Sequence, residues 1–493
     1  MAHPVSRREA LVLGLVGVGS LSLGVAGLAS SGGGPARRRS TGSDAGSSGT
    51  GAAFAEPKVL SSSGGVLELD LRVAEATVAV AGGSARMLTY NGTVPGPTLH
   101  VRPGDTLRVR LANDLGQPTN LHTHGLVVSA EGNSDNPFVE VGPGESFEYE
   151  ITLPDDHPHG AFWYHPHQHG FVADQVFAGL YGAIVVDTDD WSGGAPRVVV
   201  VSDVTLSGGA VASVSDGERL HGRVGEQVLT NGLAAPSLSI APGATERLLI
   251  INACVSRYLD LGGVPMTVRG IDSGAFDPPR SVDRLLLVPG NRADVLIEAP
   301  KKSTALVARA YNRGAGEMGM MSMSSGVEES DATLLTLLPG AAAVAVTPSA
   351  PVVNLPRDLR GLTADRQRTV TLGMAMGGGM AHGGGMAQGD GMTYVIDGRS
   401  FDPSRIDQRV EIGTVEEWTL VNSTGMEHPF HLHVWPMQLV DAEGVDVRDV
   451  VNVPAGETVT VRIAFDRFPG KTVYHCHVLD HEDLGMMGVI EAS

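Results

Sequence analysis

Residues 474–487 have the sequence YHCHVLDHEDLGMM, in which histidine, cysteine and methionine stand at a spacing typical of a copper site. Cys476 offers a thiolate, His481 follows it by five residues with an imidazole, and Met486 follows by five more with a thioether. A thiolate, two imidazoles and a weak axial thioether are the ligands of an electron-transfer copper site. The second imidazole can come from upstream, where His428 opens the motif HPFHLH.

The residues on either side of Cys476 point to a second site. On a strand, alternate side chains share a face, so His475 and His477 point together and Cys476 points the opposite way. Cys476 is therefore predicted to join two metal sites through one stretch of backbone. The alternatives are a structural thiol among unrelated histidines and a zinc site. Four His-x-His pairs exceed what zinc needs and favour copper.

An internal repeat predicts the architecture. In three segments a glycine stands nine residues before an asparagine, and a second strand signature with its own glycine turn follows, which is typical of strands entering a β-sandwich. The first segments are VRPGDTLRVRLAN at 101–113, IAPGATERLLIINA at 240–253 and IGTVEEWTLVN at 412–422, and the second are GPGESFEYEITL, VPGNRADVLIEA and PAGETVTVRIAF. We predict three copies of one sandwich at 56–190, 196–345 and 351–493.

The repeat also aligns the metal-binding motifs. Units one and three each contain two His-x-His pairs, whereas the middle unit contains none. YHPH at 164–167 matches YHCH at 474–477, so Pro166 takes the place of Cys476, and Leu180 takes that of Met486. Only the third unit can therefore hold the thiolate site. The four paired motifs must converge between units one and three.

The remaining sequence indicates an exported protein. Residues 1–29 combine Arg7 and Arg8 with an apolar run, which favours a twin-arginine export signal over an ordinary Sec signal and predicts no membrane span in the mature chain. Residues 30–55 are predicted to be a disordered tether rich in glycine and serine. The formal net charge of −20 argues against a nucleic-acid partner. We expect a periplasmic, extracellular or cell-envelope location and export through the twin-arginine machinery.

The motifs HTHG, WYHPHQHG, HPFHLH and HCHVLDHEDLGMM stand in this order, and from about residue 60 onward the chain resembles three-domain multicopper oxidases of the laccase and copper efflux oxidase kind. The resemblance implies an all-β fold of three consecutive cupredoxin-like Greek-key β-sandwich domains, the second of them structural. It also implies four coppers per chain. The type 1 ligands are then His428, Cys476, His481 and axial Met486; the type 2 ligands are His122 and His431; and the type 3 ligands are His124, His165, His167, His433, His475 and His477.

The same resemblance implies that a donor is oxidised one electron at a time at the type 1 copper while O2 is reduced to water at a trinuclear cluster. By the family pattern Glu482 relays protons to the cluster, and Asp135 is a second candidate for this role. Electrons are expected to enter through an exposed imidazole edge of His428 or His481. A non-enzymatic cell-division scaffold of the same fold would lack the ligands, and a copper nitrite reductase would have two domains and one catalytic copper.

The sequence leaves two classes of electron donor open. Residues 374–392, MAMGGGMAHGGGMAQGDGM, carry five methionines and His382, and thioethers are soft ligands that select Cu(I). The segment resembles the methionine-rich insert of copper efflux oxidases and predicts Cu(I) as donor and a role in copper detoxification. A flexible linker that carries methionine is the alternative, and phenols or aromatic amines are then the laccase donors.

Overall fold

A computed structural model describes residues 51–187, 195–314, 329–341, 355–376 and 392–493. In these residues the chain is almost entirely strand, with six sheets that form three face-to-face pairs and three short helices. Strands such as Thr106–Asn113 alternate buried and exposed side chains, because one face of each sheet packs against its partner sheet. The all-β, cupredoxin-like prediction is confirmed.

The first pair of sheets comes mainly from residues 59–186. Its elements are β1 (Val59–Ser61), β2 (Val66–Val80), β3 (Gly83–Tyr90), β4 (Thr98–Val101), β5 (Thr106–Asn113), β6 (His122–His124), β7 (Ser146–Thr152), β8 (Gly160–His165), α1 (Val172–Phe177) and β9 (Gly182–Val186). One sheet has the order β1-β4-β9-β8-β6, and the other contains β3-β2-β5-β7. A single apolar core lies between them.

The second pair comes from the middle of the chain. Its elements are β10 (Arg197–Val204), β11 (Leu206–Ser207), β12 (Ala210–Val211), α2 (Asp216–His221), β13 (Gln227–Thr230), β14 (Ser237–Ile240), β15 (Thr245–Asn252), β16 (Leu259–Gly262), β17 (Met266–Ile271), β18 (Gly274–Val282), β19 (Leu285–Leu287), β20 (Arg292–Glu298), β21 (Thr304–Arg309) and β22 (Ala332–Pro339). The sheet orders are β13-β10-β15-β20-β17-β18 and β14-β22-β21-β16-β19. The hairpin β11-β12 instead extends the first unit's sheet beside β3.

The third pair closes the chain. Its elements are β23 (Arg366–Met376), β24 (Met392–Ile396), β25 (Gln408–Val410), β26 (Thr414–Asn422), β27 (His428–Leu432), β28 (Met437–Leu439), β29 (Val447–Arg448), β30 (Val450–Val453), β31 (Thr458–Phe465), β32 (Gly470–Cys476), α3 (Leu479–Asp483) and β33 (Met487–Ala492). The orders are β24-β23-β26-β31-β28-β29 and β25-β33-β32-β27-β30. Cys476 and Met486 belong to the core between these sheets.

The repeat asparagines make the same contacts in all three units. The side chains of Asn113, Asn252 and Asn422 each donate from Nδ2 to at least two backbone carbonyls and accept the N–H of the residue two positions later. Each is buried, with at most 1% exposed. Because one side chain satisfies three backbone groups where the strand leaves the sheet, this position has a structural reason to be asparagine in every unit.

The chain before the first sandwich differs in part from its prediction. Ala53 pairs with Ser237, and the N–H of Phe54 donates to the carbonyl of Ser237 over 2.8 Å. Residues 52–55 therefore lie along the middle unit, and the predicted tether of residues 30–55 is too long at its C-terminal end. Residues 1–50, which include the predicted export signal and most of the predicted tether, lie outside the described residues, as do most of the segment 374–392 and the predicted boundaries at 190, 345 and 351.

Candidate metal centre

The first group of donor atoms lies in the third unit. His428 opens β27, Cys476 ends β32 and His481 lies on α3. The Sγ atom of Cys476 lies 3.4 Å from Nδ1 of His428 and 3.8 Å from Nδ1 of His481, and the two Nδ1 atoms are 3.3 Å apart. One thiol and two imidazoles therefore face a common point, as a single bound ion requires.

Met486 lies beside this group. Its N–H donates to the carbonyl of His481 over 2.9 Å, and its own carbonyl accepts the N–H of Cys476 over 3.0 Å. The side chain is fully buried. The predicted axial residue is thus held by backbone hydrogen bonds to two of the three predicted ligands.

Helix α3, which carries His481, is fixed at both sides. The guanidinium of Arg223, from the middle unit, donates to the carboxylate of Asp480. The carboxylate of Asp483 accepts the backbone N–H of Gly170, just before α1 of the first unit, over 2.7 Å, and that of Ala173, within α1, over 2.8 Å. All three units therefore determine where this imidazole points.

The second group contains the eight histidines of the His-x-His pairs. Adjacent strands bring them together: His122 pairs with His165 across β6 and β8, and His431 pairs with His475 across β27 and β32. The donor atoms fall into overlapping sets that could each hold an ion, namely His122, His431 and His433; His122, His124 and His165; and His167, His433 and His475. The convergence predicted between units one and three is present in the structure.

Several ring nitrogens on the outer side of this group are tied to the protein. Nδ1 of His165 donates to the carbonyl of Pro166 over 2.8 Å, and Nδ1 of His431 donates to the carbonyl of Asp449 over 2.8 Å. Nδ1 of His122 lies 3.0 Å from the carboxylate of Asp135. In the described part of the chain, Nε2 of each of these three rings has no hydrogen-bond partner. A ring fixed through one nitrogen with the other free and buried is the arrangement of a metal ligand.

Burial also sets the protonation of these groups. Desolvation, followed by the neighbouring imidazoles, lowers the pKa of His122 and His433 far below the ordinary value, and lowers that of His165 to about 3. Neutral imidazoles keep the lone pair that a metal needs. Burial raises the pKa of Cys476 to about 12, so the thiolate forms only when a cation compensates it. The donor set therefore fits copper, the ion that its soft sulfur and neutral imidazoles prefer.

The two predicted carboxylates lie at the histidine cluster and are buried. Oε2 of Glu482 lies 3.0 Å from Nδ1 of His475, and Oε1 lies 3.5 Å from Nε2 of His167. Burial would raise the pKa of Glu482, but the imidazoles of His475 and His167 outweigh it and bring the pKa to about 2. Asp135 also accepts the N–H of Thr123 over 2.8 Å, and burial raises its pKa to about 7 against that hydrogen bond.

The expectation of an exposed imidazole edge is wrong. His428 and His481 are both 0% exposed. The ring of Tyr394 stacks on His481 with the centroids 4.0 Å apart, and its hydroxyl donates to the carbonyl of Leu220 in α2 over 2.6 Å. The sequence does not predict that Tyr394 and Leu220 cover His481. Leu220 lies on a helix of the middle unit and Tyr394 on β24, and both are far in sequence from the motif at 474–487.

Two other histidines, His157 and His169, lie outside the donor groups. Nε2 of His157 accepts the N–H of Val127, and its Nδ1 donates to the carbonyl of Pro158. The ring of His169 packs on Phe401. Cys254 is buried in the apolar core of the middle unit.

Comparison with known proteins gives one consistent result. Three family models, each described as multicopper oxidase, match residues 72–190, 184–323 and 378–493. "Multicopper oxidase mco" of Staphylococcus aureus is 25% identical over 84% of this chain and 85% of its own length, and "Multicopper oxidase MmcO" of Mycobacterium tuberculosis is 28% identical over 86% of each. A solved multicopper oxidase from Campylobacter jejuni, described as a metallo-oxidase, has a TM-score of 0.76 and 30% identity over 90% of this chain and 95% of its own.

Proposed function

The chain belongs to the multicopper oxidase family, and we propose that it couples four one-electron oxidations of a donor at a type 1 copper to the four-electron reduction of O2 at a trinuclear cluster. It is an oxygen-using oxidoreductase with copper as cofactor, four per chain. The observation that carries the proposal is the continuity of His475, Cys476 and His477. The sulfur faces one donor group while the flanking imidazoles belong to the other.

We assign the ligands as the sequence predicts. The type 1 site takes His428, Cys476 and His481 with axial Met486, and the type 2 site takes His122 and His431. The type 3 pair takes two sets of three, supported by nitrogen distances of 3.2 Å from Nε2 of His475 to those of His167 and His433, and from Nε2 of His477 to Nδ1 of His124. The sixth ligand, His165, lies beside His124 and His477.

Bound copper supplies the electron steps, and the protein supplies geometry, exclusion of water and protons. All twelve predicted ligand side chains are at most 3% exposed. The predicted ligands are therefore shielded from bulk solvent, and we propose that buried carboxylates carry protons to the cluster. Glu482 is the better placed carrier, because it lies between two cluster imidazoles and is itself fully buried. Asp135 holds the ring of His122 and is the second candidate.

Two donor classes remain within the proposal, Cu(I) and aromatic reductants. The cover of Tyr394 and α2 over His481 favours small donors, because a bulky phenol cannot touch either type 1 imidazole. The Campylobacter jejuni relative is a metallo-oxidase, which also supports a metal donor, whereas an Ochrobactrum multicopper oxidase at 24% identity has oxidase activity towards lignin model compounds. We propose Cu(I) as the first donor, with the methionine-rich segment 374–392 gathering it for copper detoxification.

The donor proposal is tested by oxygen uptake with Cu(I) and with a dimethoxyphenol. Met380→Leu with Met386→Leu removes two thioethers from the segment, and Ala381→Ser with Ala387→Ser is the matched control. We expect a higher KM for Cu(I) in the first variant alone, with phenol oxidation unchanged. Equal Cu(I) kinetics in both variants, and after deletion of residues 374–392, would remove the segment from the mechanism.

The oxidase proposal itself is tested by metal analysis. The fully loaded chain should contain four coppers and consume O2 without releasing hydrogen peroxide. Two coppers would fit the nitrite reductase alternative, and none would fit the cell-division scaffold. The described residues include every predicted ligand, which disfavours both alternatives.

We also propose export through the twin-arginine pathway. In the described residues, none of the helices combines the length and the apolar composition that a membrane crossing requires. Arg7→Lys with Arg8→Lys should leave the protein in the cytoplasm on cell fractionation, while Arg37→Lys with Arg38→Lys should be exported. Normal export of the first variant would contradict this proposal.

A further inference from the structure

The middle unit contains none of the predicted copper ligands, yet its turn VPGNR, residues 288–292, reaches the histidine cluster. Gly290 has a φ of +89°, and a Cβ placed on it would lie 3.0 Å from ring atoms of His477. Gly125, which ends the motif HTHG, has a φ of +85°, and a Cβ there would lie 2.3 Å from a guanidinium nitrogen of Arg292. Both glycines are required by close approach between the middle unit and the ligand strands.

Arg292 connects this turn to a ligand through one carboxylate. Its guanidinium donates two hydrogen bonds to Asp449, at 2.5 Å to Oδ1 and 2.7 Å to Oδ2. Oδ1 of Asp449 also lies 3.1 Å from Nε2 of His124. The three side chains are buried, at 1%, 3% and 0% exposed. These contacts thus connect Arg292 of the middle unit, through Asp449 of the third unit, to His124 of the first unit.

His124 differs from the other cluster histidines in the nitrogen that it presents. His122, His165, His431 and His475 all have Nδ1 against protein oxygen atoms, which leaves Nε2 for metal. In His124 the protein carboxylate faces Nε2, and Nδ1 faces the cluster, 3.2 Å from Nε2 of His477. A carboxylate on Nε2–H fixes the tautomer whose free lone pair is on Nδ1.

Asp449 is held in place by more than Arg292. The N–H groups of Asp449 and Val450 both donate to Oδ2 of Asp272 over 3.1 Å. Arg292 also donates from Nε to the carbonyl of Ala161 over 3.0 Å. The backbone of Asp449 and the guanidinium of Arg292 are therefore both fixed, and the carboxylate can leave His124 only by losing its two hydrogen bonds to Arg292.

A fifth metal ion is an alternative use of the same atoms, since donors of His124, His431 and Asp449 come close enough to hold one. The guanidinium of Arg292 excludes it. The guanidinium of Arg292 donates to both carboxylate oxygens of Asp449. A metal cation bound to the same carboxylate would be repelled by this fixed positive charge at hydrogen-bond distance.

We propose that Arg292 and Asp449 are positioning residues that select the Nδ1-binding tautomer of His124, so that the middle unit takes part in building the type 3 site. The inference rests on the proposed function, because it takes His124 as a ligand. Arg292 fixes the carboxylate, the carboxylate fixes the ring, and the ring presents Nδ1. The general expectation for losing such a ligand-orienting partner is a loss of about 10- to 100-fold in metal affinity or activity.

The test compares Asp449→Ala and Asp449→Asn with the wild-type chain. Alanine removes the acceptor of His124, whereas asparagine can keep an oxygen toward the ring but places an N–H₂ group against Arg292. We expect turnover to fall about 10- to 100-fold in the alanine variant and less in the asparagine variant. The type 1 visible absorption should persist in both. A coupled copper pair is EPR-silent, so the EPR-visible copper fraction should rise, or the copper content should fall, in the same order.

The matched control is Asp203→Asn, which breaks a buried carboxylate–guanidinium pair with Arg257 in the same middle unit, away from the cluster. It should lower thermal stability without changing the copper content or the EPR-visible fraction. If Asp449→Ala does not fold, Arg292→Lys keeps the charge but loses the two-pronged contact, and it should show the same EPR change more weakly.

Unchanged EPR and copper content in folded Asp449 and Arg292 variants would overturn the inference and leave the oxidase proposal intact. Spectral changes equal to those of Asp203→Asn would also overturn it, because they would then report general destabilisation. Failure of the oxidase proposal would instead be visible in the wild-type chain, as a missing copper complement.

Discussion

The first and third units contain the same frame around different chemistry. In both, the strand that carries the His-x-His pair lies against a second histidine strand, and a short helix follows, α1 in one and α3 in the other. The N–H of Leu180 donates to the carbonyl of Gln175 over 3.0 Å, just as that of Met486 donates to His481 over 2.9 Å. The backbone that follows YHPH in the first unit and YHCH in the third therefore forms the same turn, with the same hydrogen bond.

At the position that corresponds to the type 1 site, the first unit has no metal-binding side chains. Thr119 stands three residues before His122, as His428 does before His431, and Gln175 takes the position of His481. The hydroxyl of Thr119 donates to Oε1 of Gln175 over 2.7 Å, and Nε2 of Gln175 donates to the carbonyl of Pro118 over 2.8 Å. A neutral hydrogen-bonded pair thus occupies the place of a mononuclear site. The two units therefore share the fold and differ at four side chains. In the first unit these are Thr119, Pro166, Gln175 and Leu180, and in the third they are His428, Cys476, His481 and Met486.

The largest effect is expected from removing the thiolate that the first unit lacks. Cys476→Ser leaves all eight cluster histidines unchanged but takes the sulfur from the type 1 group. Turnover should be abolished, and about three coppers should remain per chain, because the type 1 site alone loses its strongest ligand. Metal analysis and visible absorption test this. Retained turnover would contradict the role of Cys476 as the junction between the sites.

The second largest loss of turnover is expected at Glu482, the carboxylate that follows His481. The first unit has Val176 at the corresponding position, after Gln175. Glu482→Gln keeps the volume but cannot transfer protons in the same way. Turnover should fall about 10²-fold or more, while the copper content and type 1 absorption persist. Stopped-flow reduction of the type 1 site by the donor should stay normal. Unchanged turnover would remove Glu482 from the proton path.

A smaller effect is expected when Met486 is replaced by leucine, the residue that the first unit has at the same position, Leu180. Met486→Leu should keep the type 1 copper and raise its reduction potential, because an axial thioether stabilises Cu(II). Turnover should change less than in Glu482→Gln. Redox titration measures the potential, and an unchanged value would mean that Met486 is not a ligand.

The smallest effect lies in the first unit itself. Thr119→Val removes the donor to Gln175 and leaves a buried amide oxygen unsatisfied, which costs about 1–3 kcal/mol of unfolding free energy. Copper content and turnover should stay at the wild-type level. Thermal unfolding measures the difference, and a loss of copper would show that the first unit's frame also supports the cluster.

The sequence predicts which histidine segments come together, because they occur as short motifs within a repeat. His122 and His165, or His431 and His475, meet because strand pairing follows from the repeated sandwich, and the repeat asparagines mark the same corner each time. The four His-x-His segments and their convergence could therefore be predicted from the order of residues alone.

The surroundings of the site could not be found in this way. Asp449 and Arg292 are separated by 157 residues, and their meeting depends on how the units pack. The sequence signal was weak: VPGNR has arginine where the equivalent turns have Ser146 and Thr458. Tyr394 and Leu220, which cover His481, carry no motif at all. Contacts between units leave little trace in local sequence patterns.

The near-complete burial of the ligands governs how the metal enters and leaves. With every predicted ligand side chain at most 3% exposed, a copper ion bound there could not exchange with solvent through the closed fold. Loading must proceed through local opening, and the burial-raised pKa of Cys476, about 12, means that a proton leaves as the ion arrives. Once closed, the centre should release copper only as fast as the third unit opens, so that its lifetime is set by protein motion rather than by affinity.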